Sequence, residues 1–92
     1  MEERAGSVIR RIIYSPQSRR DLRRLDRVSA TRILNALERL AADRSGDIRR
    51  LRGSASEWRL RIGDWRVIFE FDSNDSEILV KRISRRDSAY RR

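Results

Sequence analysis

Three arginines set at alternate positions around one turn are the residues whose spacing first suggests chemistry. Arg59 and Arg61 alternate with Trp58, Leu60 and Ile62, and Arg66 stands between Trp65 and Val67 just after the pair Gly63-Asp64. A period of two puts Arg59 and Arg61 on one face of a strand, and a hairpin at Gly63-Asp64 brings Arg66 to the same face of its neighbour. Guanidiniums within cross-strand reach repel one another unless an anion lies between them. The flat donor fork of arginine fits phosphate oxygens two at a time, so a phosphodiester is the natural anion. The same pattern also describes the solvated outer face of a half-buried sheet, on which Glu57, Glu70 and Asp64 would serve as ion-pair partners.

The rest of the composition narrows what such a face can do. The chain has no histidine and no cysteine. That excludes histidine bases, thiol nucleophiles, disulfides and His/Cys zinc sites, and no cofactor is expected. Carboxylate, hydroxyl, amide, phenol and guanidinium groups remain. Basic residues number 23 against 14 acidic, for a net charge of +9, and Lys81 is the only lysine. Such a charge draws nucleic acid, an anionic membrane surface or an acidic protein, with binding that weakens as salt rises. The plainer alternative is an arginine-rich solvated surface. A second basic field lies at Arg19/Arg23, Arg20/Arg24 and Arg23/Arg27, like-charge pairs that each cost about 0.2–0.5 kcal/mol on a helix. Asp21 and Asp26 are expected to offset part of it, and a solvated helix face is the simpler account. Trp58 and Trp65 have rings that stack on bases, but each falls on the apolar side of its strand and is expected in the core.

The elements that must position these groups follow from the hydrophobic pattern. At 92 residues and 11.0 kDa the chain is expected to form one domain over 1–92, with 1–6 frayed. No stretch approaches the roughly 20 apolar residues of a membrane span, and no secretion signal follows Met1, so no membrane partner and a cytoplasmic location are expected. Val8–Tyr14 reads as a strand, and Ser15-Pro16 as the start of a helix carrying Leu22 and Leu25. Ile33, Leu34, Leu37, Leu40 and Ala41 mark a second helix over about Ser29–Ala42. Asp43–Asp47 and Gly53–Ser56 read as loops. Strands follow over Trp58–Ile62 and Trp65–Phe71, then a turn at Asp72–Asp75 and a last strand at Ile78–Ile83. The expected class is α+β in the order β-α-α-β-β-β: a small, mostly antiparallel sheet with a helical hairpin on one face and a short C-terminal tail or helical turn.

Read in order, these segments resemble a known family. Leu51-Arg52-Gly53 followed by the run from Trp58 through Gly63-Asp64-Trp65-Arg66 to Phe69 is similar to the central motif of RelE/ParE-superfamily toxins. Ser15-Pro16 with Asp21-Leu22 and Leu25 resembles that family's first helix, and Ile83–Arg91 its ending. The resemblance spans roughly 8–91. It implies the toxin of a type II toxin–antitoxin pair. In the RelE branch such toxins are ribosome-dependent endoribonucleases that cut mRNA in the ribosomal A site; in the ParE branch they inhibit DNA gyrase without catalysis. A basic nucleic-acid-binding module is the reading that charge alone supports.

The resemblance also implies roles. Arg66 matches the arginine that stabilises the scissile phosphate, Tyr90 the tyrosine near the C-terminus, and Arg86 the arginine four residues before it. Arg59 and Arg61 stand where well-studied RelE enzymes carry lysine, and Arg85 where many relatives carry histidine. Arginine does not give up its proton, which makes Arg61 a poor general base. Tyr90, its phenol acidified by nearby guanidiniums, is the better candidate. The expected site therefore has Arg61 and Arg66 on the phosphate, Tyr90 taking the 2′-OH proton, Arg86 or Arg85 assisting the leaving group, and Arg59, Arg61 and Arg85 binding RNA. Expected partners are a cognate antitoxin with an acidic binding segment, the ribosome and its mRNA, and operator DNA only through the antitoxin complex.

Overall fold

Ser15 and Pro16 end the first strand and begin a helix in two adjacent residues. In the computed structural model, which describes residues 9–85, the strand is β1 (Arg11–Tyr14) and the helix α1 (Pro16–Arg23). Val8, where the strand was expected to begin, lies outside the described residues. Ser15 caps α1 by accepting from the Ser18 N–H at 3.0 Å, and its own hydroxyl donates to the Lys81 carbonyl at 2.7 Å. Asp26 caps the next helix, α2 (Arg27–Asp43), which ends on Arg44 in the left-handed conformation at φ 60°. Four of the five residues of the expected apolar stripe form its inward face, Ile33, Leu37, Leu40 and Ala41 having no exposed surface, while Leu34, one position round the helix from Ile33, is 38% exposed.

After α2 the chain makes β2 (Asp47–Arg50), β3 (Trp58–Ile62), β4 (Trp65–Phe71) and β5 (Glu77–Arg85). The sheet order is β1-β5-β4-β3-β2, with β1 parallel to β5 and all other pairs antiparallel. The α+β class and the mostly antiparallel sheet agree with the sequence, and β2 adds a fifth strand in the stretch between the two loops. The core lies between the helices and one face of the sheet, where Leu60, Val67, Phe69, Ile78 and Val80 are buried against α2. Trp58 and Trp65 pack at the edge of this cluster, as expected from their side of the strands. Truncating a residue such as Leu37 would cost about 2–5 kcal/mol.

One irregularity in β5 matters for the site. Phe69 faces Val80 but Ile68 faces Arg82, so Lys81 is an extra residue with no partner on β4. The bulge resets the alternation. Ile78 and Val80 point to the core before it and Ile83 points to the core after it, which explains why the apolar residues of β5 do not alternate strictly.

Candidate functional site

The face of the sheet turned away from the helices carries two rows of side chains. Across β2 to β5 one row runs Asp47, Arg61, Arg66 and Ser84, and the next runs Arg49, Arg59, Ile68 and Arg82. The register at Gly63-Asp64 thus brings Arg59, Arg61 and Arg66 together on one surface. Gly63 makes the turn possible: its φ is +57°, and a Cβ there would lie 2.9 Å from the Arg32 guanidinium. Arg49 and Arg82 join the cluster. Sequence reasoning missed both, although the inward Ile48 beside an outward Arg49 was a two-residue trace of β2.

The electrostatics of this surface follow from who pairs with whom. Lys81, on the bulge, holds the Glu70 carboxylate at 3.0 Å and that of Glu57 at 3.5 Å. Lys81 accordingly draws the Glu70 pKa below the ordinary carboxylate value. Two of the carboxylates expected to neutralise the arginines are therefore engaged by lysine, and among the described residues Asp64 makes no ion pair with them. Asp47 is left as the carboxylate within the two rows. Arg59 sits at the centre, and its Nε and Nη2 are shielded from water without a hydrogen-bond partner among the described residues. Burial depresses its pKa first, with the charges of Arg61, Arg66 and Arg49 acting in the same direction. The guanidinium nonetheless remains charged. A set of shielded donors in a cationic cluster is chemically suited to an anion with several acceptor oxygens.

Ile68 lies between Arg59 and Arg82 and is only 4% exposed although it faces away from the helices.

Arg85 stands apart from this group. Because of the bulge it pairs with Trp65 on the helix side, with its guanidinium carbon 5.3 Å from the Trp65 ring centre. There it lines a cleft with Asp21, Arg24, Leu25, Trp65 and Ile83. Arg86 and Tyr90 lie outside the described residues. Among the described residues no group of three or more acidic side chains could hold a metal ion, and no helix is long and apolar enough to cross a membrane.

Residues 12–90 match the family described as the ParE toxin of the type II toxin–antitoxin system parDE. A RelE1 toxin candidate of Methanocaldococcus jannaschii is 44% identical over 45 residues, a match covering 49% of this chain and 50% of that protein. The alignment thus spans about half the length of the curated relative. Among solved structures, the RelBE2 toxin–antitoxin complex of Mycobacterium tuberculosis superposes with a TM-score of 0.75 at 21% identity, covering 86% of this chain and 100% of that one. The RelB–RelE complex of Methanococcus jannaschii gives 0.71 at 22%, covering 85% and 94%. The isolated Escherichia coli RelE toxin gives 0.69 at 11%, covering 83% of each chain. At these identities the structures show a shared fold.

Proposed function

The chain belongs to the ParE toxin family of type II toxin–antitoxin systems, within the RelE/ParE superfamily, and on that footing we propose that it is a metal-free endoribonuclease acting on mRNA in the ribosomal A site. The observation that carries this reading is Arg59, whose Nε and Nη2 are shielded from water at the centre of an arginine cluster and lack an acceptor among the described residues. A binding protein gains nothing from such strain unless an anion relieves it, and a phosphate acquiring charge in a transition state relieves it most.

The reaction breaks the P–O5′ bond as the 2′-oxygen bonds to phosphorus, leaving a 2′,3′-cyclic phosphate and a 5′-hydroxyl end. Arg61 and Arg66 face each other across β3 and β4, and in this reading they hold the two non-bridging oxygens. Arg59 adds positive charge behind them. Tyr90, as phenolate, accepts the 2′-OH proton, because no arginine can. Arg86 offsets charge on the departing 5′-oxygen, which takes its proton from water. Arg85, on the other side of the sheet, has no part in this assignment.

A cognate antitoxin with an acidic segment would silence the protein by covering the arginines, in the cytoplasm where ribosomes and mRNA are met. Solved structures of similar fold include complexes of a toxin with its antitoxin, which supports such a partner. Operator DNA would be bound only through that complex.

The test is incubation of the purified protein with translating ribosomes and a defined message, with 5′ ends mapped by primer extension. Cleavage confined to ribosome-bound mRNA, and falling at least a hundredfold in Arg66→Ala and Tyr90→Phe, is expected. The ParE match favours a second reading, inhibition of DNA gyrase. Loss of supercoiling activity with intact mRNA would select it.

A further inference from the structure

Five arginines along the first helix, its C-cap and the start of α2 form a second cationic surface, on the opposite side of the sheet from the site above. Arg19, Arg20, Arg23, Arg24 and Arg27 are all exposed. None of them makes an ion pair among the described residues, whereas Arg10, Arg11 and Arg44 do. The two carboxylates that sequence places among them face other duties. Asp21 Oδ2 accepts from the Ile83 N–H at 2.8 Å, and its Oδ1 accepts from Gln17 at 2.8 Å. Asp26 accepts from the Ser29 N–H at 3.1 Å as the cap of α2. Both acids are tied to backbone amides rather than paired with an arginine among the described residues, so here five guanidiniums stand against two carboxylates.

We infer that the α1 arginine face is a second phosphate-binding surface, one that docks on the backbone of duplex RNA and takes no part in cleavage. Residues four apart on a helix rise about 6 Å, so Arg19 with Arg23 and Arg20 with Arg24 present charge in two short rows that a phosphate strand can follow. A protein partner needs apolar surface to bury at the centre of its interface. Apolar surface is scarce here: Leu22 and Leu25 pack against the core, Leu25 also lining the cleft beside Arg24, and of the exposed large hydrophobics only Val28 adjoins one of these arginines in sequence. Nucleic-acid interfaces are instead polar and strongly positive. The choice of RNA over DNA rests on the ribosomal reading proposed above. It gives the molecule two working sides, a sheet face for the strand that is cut and a helix face for the folded RNA around it.

The experiment measures anisotropy of a labelled RNA duplex of arbitrary sequence, about 20 base pairs long, with the full chain across a salt series. Arg19→Gln/Arg23→Gln is compared with a control pair of equal charge loss, Arg39→Gln/Arg52→Gln, after melting curves show that both are folded. The α1 pair should weaken binding about tenfold or more at low salt and reduce the salt slope by about 2, while the control pair leaves the slope nearly unchanged. Equal effects from both pairs would overturn the inference in favour of a diffuse field. So would an effect seen only with duplex DNA, or one seen only with a polyglutamate peptide. Failure to cleave mRNA, with α1-dependent RNA binding intact, would sink the nuclease reading and leave this surface standing.

Discussion

Arg59 combines a full charge, partial burial and two donors without an acceptor, and such a residue weakens the fold that holds it. An unsatisfied shielded polar group costs about 1–3 kcal/mol. Arg59→Met should therefore stabilise the free protein by on the order of 1 kcal/mol, seen as a rise of roughly 4–8 °C in melting temperature, while the proposed mRNA cleavage falls. A variant that melts lower than wild type would mean that Arg59 is structurally satisfied. Added inorganic phosphate should raise the wild-type melting temperature and leave Arg59→Met unmoved, since a ligand that binds only the native state stabilises it. The meeting of Arg59, Arg61 and Arg66 was legible because each alternates with a large apolar residue on either side of a glycine turn. What Glu57 and Glu70 do was not, because their partner Lys81 comes from a bulge that no local pattern announces.

At the scale of elements, α1 is tied to β5 by two polar links, Ser15 to the Lys81 carbonyl and Asp21 to the Ile83 amide. Removing the second leaves an amide near the end of the sheet without its acceptor. Asp21→Ala should thus cost about 1–3 kcal/mol in denaturant melts, and Asp21→Asn, which keeps an acceptor oxygen, clearly less. Equal losses in the two variants would show that charge, not the hydrogen bond, is what α1 supplies. The long apolar stripe of α2 made that helix plain from sequence, and the β3–β4 hairpin equally so. The short strand β2 was hidden because four residues between two turns carry a single inward side chain, Ile48. Arg85 fell on the helix side for a related reason: one extra residue in a strand inverts every side chain beyond it.

For the whole molecule, net charge and the absence of histidine set the response to pH. Asp75 is held below the ordinary carboxylate range by hydrogen bonds from Arg10, with the charges of Arg10 and Arg44 adding to it. Asp72 is lowered by hydrogen bonds from the Glu77 amide and then from Ser76, and Asp26 by hydrogen bonds from Ser29. Groups depressed in the folded state stabilise above their unfolded pKa, and that contribution fades as pH falls through the folded value. Melting temperature should accordingly be nearly flat from about pH 5 to 8, where no side chain of ordinary pKa titrates, and drop steeply below about pH 4. Raising salt should lift it by screening the net +9 charge. A marked inflection near neutral pH would contradict this account. The strand order β1-β5-β4-β3-β2 has a further consequence, in time rather than space. Among the described strands β5 is synthesised last, yet it alone joins β1 to the rest of the sheet and supplies the amide that Asp21 holds. A nascent chain lacking it has the β2–β3–β4 meander and the helices with no common sheet to join them, so Arg82 has yet to complete the sheet-face cluster and α1 lacks the strand on which it packs. The ribosome still building this chain therefore meets it before its sheet is assembled.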